Sequence, residues 1–198
     1  MGVQPAVTPT LPPGDEQLLA RFANGDRTAL EELFQRYRQL AYRVAYRLLG
    51  HESDALDAVQ EGFVKALTHL DGFQGRSSFK TWLLRIVSNA SLDLGRQRKR
   101  RDILQLDPLT MREHESALPT VSVEPGRDLD HQDLRQALDA ALESLPEAQR
   151  RTFVLHVDGE LSYREVAEIL GISIGTVMSR LFYARQKLRG LLSAQANV

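Results

Sequence analysis

Five cationic side chains fall within the six residues Arg96-Gln97-Arg98-Lys99-Arg100-Arg101. Guanidinium and ammonium groups at that density neutralise phosphates and displace the counterions around a nucleic acid. Further along, Ser173, Thr176, Ser179, Arg180, Tyr183 and Lys187 form a second polar set, and such hydroxyls and cations reach base edges and phosphates. A third set is acidic and amide in character: Asp54, Asp57, Gln60 and Glu61. The constellations of common enzymes are missing. The histidines His51, His69, His114, His131 and His156 show no paired metal-ligand spacing. Cysteine is absent, which removes disulfides, thiolate metal sites and cysteine nucleophiles. Neither a glycine-rich phosphate loop followed by Lys-Ser/Thr nor a nucleophile elbow occurs. The side chains offer binding rather than bond chemistry, with no cofactor, no metal and no catalytic residue expected.

The second polar set needs a helix to carry it, and residues 161–192, LSYREVAEILGISIGTVMSRLFYARQKLRGLL, supply one. Ser162 and Glu165 have the S-x-x-E spacing of a capping box, which predicts a helix start. Val166, Ala167, Ile169 and Leu170 give that helix an apolar stripe. Gly171 follows where a left-handed residue ends a helix most cheaply. Ser173 can cap a second helix with Thr176 in its first turn. Val177 and Leu181 point that helix inward, and Ser179, Arg180, Tyr183 and Lys187 lie largely off the stripe. An ordinary helical hairpin shares some of these features. The tight glycine turn, two caps and a basic second helix together favour a DNA-binding helix-turn-helix.

The basic run needs a helix as well. Residues 71–78, DGFQGRSS, read as a loop, and helix resumes with Phe79, Trp82, Leu83, Ile86, Val87 and Leu92 as its apolar residues. A Gly/Ser loop bearing Phe73, then a helix, then a cationic run suits single-stranded DNA, with bases trapped in the loop and phosphates held by the cations. Phe79 and Trp82 are equally natural as core. Upstream, residues 53–70 form an amphipathic helix with Ala55, Val59, Phe63, Ala66 and Leu70 on one side and Asp54, Asp57, Gln60, Glu61 and Lys65 mostly outside. Acids near its start suit the helix dipole, and the same acids could dock a basic partner. Before it, Leu18, Leu19 and Phe22 mark a short helix, Asn24-Gly25-Asp26 a break, and Leu30 to Leu48 a long helix capped by Asp26 or Thr28. Downstream, a helix carries Leu134, Ala137, Leu138, Ala141, Leu142 and Leu145. Pro146 then opens a helix over residues 147–157 with Phe153, Val154 and Val157 inward.

A chain of 198 residues with 42% hydrophobic content and a net charge of −1 suits one or two small soluble domains. The charge is uneven. From Asp102 to Asp133 eight acids oppose Arg112 and Arg127, and from Arg150 onward seven bases oppose four acids. Basic modules on either side of an acidic strap bind nucleic acid locally despite the neutral total. Residues 1–14 hold four prolines and no charged side chain and read as a disordered tail. Residues 102–130 contain Pro108, Pro119, Pro125 and Gly126 without sustained periodicity and read as a linker between domains at 15–101 and 131–198. No apolar run approaches the ~20 residues of a transmembrane helix, and no signal peptide is apparent. The expected fold is all-α, two small helical domains on a flexible acidic linker, in the cytoplasm without direct membrane insertion.

Three motifs in order, DALDAVQEGFVKAL, FQGRSSFKTWLLRIVSNASLD and SLPEAQRRTFVLHVDGELSYREVAEILGISIGTVMSRLFYARQKLRGLL, resemble the bacterial RNA polymerase sigma factors of the extracytoplasmic-function (ECF) type. The resemblance implies sigma region two over 15–101 and sigma region four over 131–198. It implies binding to core RNA polymerase through the beta-prime clamp helices and the beta flap, and promoter-specific initiation with promoter opening. Asp57, Gln60 and Glu61, with Asp54 as a neighbour, match the polymerase-docking positions. Residues 73–79 match the loop that captures a flipped minus-ten base, so Phe73, Gly75, Arg76, Ser77, Ser78, Phe79 and Lys80 are its expected minus-ten contacts, followed by Asn89, Asp93 and Arg96. The helix from Ser173 to Lys187 matches the reader of the minus-thirty-five element, with Ser173, Thr176, Met178, Ser179, Arg180, Phe182, Tyr183 and Lys187 as expected contacts. An anti-sigma protein is a further partner that the resemblance suggests, and the linker looks like the segment that threads polymerase toward the RNA exit path.

Three positions depart from the pattern. Met178 and Tyr183 stand where many relatives carry basic residues, and Met178 cannot make arginine's bidentate contact to guanine. Gly95 stands where a larger helical residue is usual, which suggests a looser helix end. Leu56 replaces a commonly acidic position. A stand-alone helix-turn-helix regulator is the alternative, and it leaves the docking helix and residues 71–101 without a role.

Overall fold

The computed structural model describes residues 13–105 and 131–196. Among these are eight α-helices, one 3-10 turn and no strand. The helices are α1 (Asp15–Ala23), α2 (Arg27–Leu49), α3 (Glu52–Thr68), α4 (Phe79–Gln105), α5 (His131–Glu143), α6 (Glu147–Val157), α7 (Tyr163–Leu170) and α8 (Ile174–Ala196), with the 3-10 turn at Leu70–Gly72. The tail expected over 1–14 and the linker expected over 102–130 lie outside the described residues at 1–12 and 106–130. The chain divides into two compact units at Arg38 and Gln39.

In the first unit Asp26, not Thr28, caps α2. Its carboxylate accepts from the Thr28 amide at 3.0 Å and the Thr28 hydroxyl at 2.6 Å. The Thr28 hydroxyl and the Arg21 guanidinium hold the Asp26 carboxyl down at about 2. Arg36 pairs with Asp15 at 2.5 Å and donates to the Pro13 carbonyl at 2.6 Å. Leu18, Ala29, Leu30 and Leu33 are buried.

In the second unit α3 lies along α4. Ala55, Ala58, Gly62 and Ala66 are the buried small residues of α3, and small residues let two helix backbones approach closely. At Gly62 the approach is limiting: a Cβ there would stand 2.8 Å from Val87 Cγ2 and 3.2 Å from Val87 Cα. Phe63, expected inward, is only half-buried, because Gly62 takes the inward position beside it. Beyond the α3 contact α4 does not end at Gly95. It runs on to Gln105, so the basic run is helical. A Cβ at Gly95 would meet Leu49 Cδ2 at 3.3 Å, so the missing side chain makes room for α2.

The C-terminal helices form two apolar clusters. Ala141 and Leu142 at the end of α5, with Leu145 just beyond it, pack with Ala184 and Leu188 of α8. Val154, Leu155, Leu161, Val166, Ala167, Ile169, Val177 and Leu181 share a cluster with Val44 and Leu48 of α2 and Leu84 of α4. Val157, expected inward, is exposed, because the buried stripe of α6 runs through Thr152, Val154 and Leu155 instead.

Replacing Gly62 with Ala is expected to destabilise the protein. Overpacking costs about 1–3 kcal/mol, and the helix-propensity gain of about 1 kcal/mol offsets it only in part. Gly190, also helical, has nothing within 4 Å of its Cβ position, so Gly190→Ala should be neutral or stabilising. Thermal melts of the two variants check the contrast, and an equal or higher melting temperature for Gly62→Ala would contradict the close approach.

Candidate polymerase and nucleic-acid interface

On α3 the unburied face carries both acids and apolar residues. Asp57, Gln60 and Glu61 are exposed, and Leu56, Val64 and Leu67 are exposed with them. At 100° per residue these six occupy one continuous strip. Glu61 also pairs with Lys65 at 2.6 Å, a surface pair of small energetic weight. Asp54 stands apart from the strip. Its carboxylate accepts from Arg98 Nη1 at 2.8 Å, which ties the start of α3 to the basic run of α4.

The loop before α4 is built around aromatics. Phe73 is half-buried, with its ring 6.0 Å from Phe79 and 5.2 Å from Trp82, and Phe79 lies 5.7 Å from Trp82. Phe79 is 2% exposed. It supports the loop from beneath and offers no face to a base, which corrects its place among the expected contacts. Ser78 also has a local task. Its hydroxyl accepts from the Thr81 amide at 3.1 Å and caps α4. Gly75 holds a left-handed φ of +65°, a turn that favours glycine. Gly75, Arg76 and Ser78 are exposed, and Ser77 is half-buried.

Along α4 three expected contacts meet α6 or the connection that follows it. Lys80 Nζ donates to the Glu160 carbonyl at 2.9 Å. Arg151 Nη2 donates to Asn89 Oδ1 at 2.5 Å and to Ser88 Oγ at 3.2 Å. Arg96 pairs with Glu147 at 2.9 Å. Asp93, Lys99, Arg100 and Arg101 are exposed. Around this seam the Thr81 hydroxyl donates to Glu165 at 2.6 Å, Arg85 donates to the Glu168 carbonyl at 2.8 Å, and Arg43 pairs with Glu160 at 2.8 Å. Arg47 pairs with Asp139. Burial lowers the pKa of Arg151. Burial also opposes the ionisation of Glu165, but the hydroxyls of Thr81 and Ser162 outweigh it and hold that carboxyl below its usual range. Asp158 is pushed up by burial, against the pull of Arg47 and Arg43.

The helix-turn-helix has the expected local chemistry. The Ser162 hydroxyl accepts from the Glu165 amide at 3.3 Å, and the Glu165 carboxylate accepts from the Ser162 amide at 2.8 Å. Gly171 is left-handed at φ 64°, and the Ser173 hydroxyl accepts from the Thr176 amide at 3.1 Å. Ser173 and Thr176 thus serve the cap. The Ser179 hydroxyl donates to the Thr176 carbonyl at 3.0 Å. Met178, Phe182 and Tyr183 are exposed, and Arg180 is half-buried. Lys187 is turned back along the fold, with Nζ donating to the Ser144 carbonyl at 2.7 Å. Beside Met178 and Phe182 an open depression of about 430 Å³ is lined by Tyr163, Arg185, Gln186 and Arg189 as well. Those four are absent from the expected contacts. Turning 100° per residue from the inward positions Val177, Leu181, Ala184 and Leu188 already places residues 178, 182, 185 and 189 together along one flank of α8.

Among the described residues no cluster of His, Asp or Glu could hold a metal ion, and no single helix is long and apolar enough to cross a membrane.

Known proteins share this organisation. The Sigma-70 region 2 profile matches residues 33–101, and the Sigma-70 region 4 profile matches residues 135–188. The ECF RNA polymerase sigma-E factor of Escherichia coli strain K12 is 36% identical over 177 residues, covering 88% of this chain and 92% of the relative. The ECF RNA polymerase sigma factor SigE of Mycolicibacterium smegmatis is 35% identical over 178 residues, covering 88% and 67%. Among solved structures, CnrH in complex with the cytosolic domain of CnrY aligns with a TM-score of 0.66 at 28% identity, covering 91% of this chain and 97% of that one. RpoE in complex with the anti-sigma factor NepR from Bartonella quintana aligns with a TM-score of 0.61 at 29% identity, covering 82% and 98%. With both profiles matched in order on the helices that carry the acidic strip, the aromatic loop and the helix-turn-helix, the chain belongs to the ECF family of RNA polymerase sigma factors.

Proposed function

We propose a division of labour by residue for this sigma factor, which binds core RNA polymerase and promoter DNA and directs initiation. Region two occupies residues 15–101 and region four residues 131–198, with 102–130 as the linker. Asp57, Gln60 and Glu61 dock on the beta-prime clamp helices, with Leu56, Val64 and Leu67 as apolar neighbours, while region four meets the beta flap. Asp54 supports this surface through Arg98. The loop at Phe73, Gly75, Arg76, Ser77 and Ser78 takes an unstacked minus-ten base, and Lys80, Asn89, Asp93 and Arg96 line its continuation. Met178, Ser179, Arg180, Phe182 and Tyr183 face the minus-thirty-five element. Ser173 and Thr176 fix the start of that helix, and Lys187 braces it.

The observation that carries this reading is the single strip of α3 on which Asp57, Gln60 and Glu61 stand exposed beside apolar side chains. A stand-alone regulator has no use for such a strip. The protein performs no bond chemistry of its own and needs no cofactor. It works in the cytoplasm, where the polymerase is, and promoter melting is driven by trapping bases, each stack being worth about 1–3 kcal/mol. Because RpoE from Bartonella quintana was solved with an anti-sigma factor, a protein inhibitor is a reasonable partner here too.

Reversing charge with Asp57→Lys and Glu61→Lys should reduce co-purification with core polymerase at least tenfold while the helical content stays intact by circular dichroism. Undiminished co-purification would remove the strip from the docking surface. Arg180→Ala should lower run-off transcription several-fold with core binding unchanged, since one good base contact contributes about 1–3 kcal/mol of discrimination. Wild-type transcription from a native promoter would take Arg180 out of the contact set.

A further inference from the structure

One exposed flank of α8 is unusual for a helix assigned to DNA. Ile174, Met178 and Phe182, spaced i, i+4 and i+8, are 46%, 54% and 62% exposed, and Arg185 and Arg189 continue the same line. The polar groups near it are few. Ser179 spends its hydroxyl proton on the Thr176 carbonyl, and the base contact proposed for Arg180 is made from the other flank of the helix, where Arg180 is half-buried. No side chain along this stripe in the first three turns can form the paired hydrogen bonds that identify guanine or adenine. What thioether and phenyl groups can recognise in a major groove is the C5-methyl of thymine.

We propose that this sigma factor selects its minus-thirty-five element through thymine methyl groups, held against Met178 and Phe182 with Ile174 at the entry. The proposal rests on the assignment of α8 to that element. Recognition helices approach bases with their N-terminal turns, which is where the three apolar residues stand. Arg185 and Arg189 follow later in the helix, where a straight helix leaves the curving groove, and they meet phosphates. Tyr163 closes the depression from the first turn of α7. DNA is the occupant that fits an apolar stripe continued by two guanidinium groups on a helix-turn-helix.

The test uses the full chain with core polymerase. Promoters are first selected from a pool randomised upstream of a fixed minus-ten region. Each thymine of the selected minus-thirty-five element is then replaced by deoxyuridine, which removes only the methyl. Transcription should fall about three- to fourfold per contacted thymine, the effect of one buried methyl group. The Met178→Ala or Phe182→Ala holoenzyme should lose its sensitivity at the thymine that residue contacts. Both side chains are exposed, so folding is not at stake. If deoxyuridine is tolerated everywhere while base-pair changes still lower transcription, methyl recognition is wrong and the assignment of α8 stands. If no upstream preference emerges, both fail.

Discussion

Leu84 is the side chain on which the second unit turns. It sits on α4, whose Val87 packs on α3 at Gly62, and it reaches the cluster formed by α6, α7 and α8. One helix thus supplies apolar surface to two neighbours on different sides. Little of its circumference is left for solvent, and that remainder carries Arg85, Asn89, Asp93 and Arg96. The side chains proposed above for DNA on this stretch, Asn89, Asp93 and Arg96, therefore border the seam, because the apolar demands on α4 leave them no other strip.

A dry seam would be hard to open. This one has a polar margin in which the Thr81 hydroxyl meets Glu165, Arg151 meets Asn89, and Arg85 meets Glu168. Partly buried charged pairs return in Coulomb attraction much of what they lose in hydration, so their net contribution is small. They fix which face meets which. The apolar cluster supplies affinity and the rim supplies register, a combination that a partner able to cover the exposed apolar surface can reverse.

Much of the local design was legible beforehand. The Ser162-Glu165 box, the left-handed Gly171 and the Ser173 cap depend only on residues a few positions apart, and all three appear as expected. The length of α6 was also readable from Pro146 and Asp158-Gly159. Long-range partners were not legible. Periodicity marks Phe79 as apolar but cannot say whether it faces a base or the core, and Phe73 and Trp82 settle it for the core. Nothing near Asp54 in sequence announces Arg98, and nothing near Lys187 announces the Ser144 carbonyl. Gly95 misled for the same reason, since its explanation is Leu49, far away in the chain.

The charge distribution gains a physical reading from these partners. With a net charge of −1 the chain has no long-range pull on DNA, yet its cations are locally dense. Arg43, Arg47, Arg85 and Arg96 lie against Glu160, Asp139, Glu168 and Glu147. Cations already neutralised by carboxylates hold few counterions to release, so a salt-dependent attraction to nucleic acid rests mainly on cations that are exposed. Lys99, Arg100 and Arg101 at the end of α4 are such cations. Among the described residues no carboxylate pairs with them, whereas Arg85 and Arg96 are held by Glu168 and Glu147. The cations of α4 thus divide into paired ones, Arg85 and Arg96, and the exposed run at its end, which is the part left to attract phosphates.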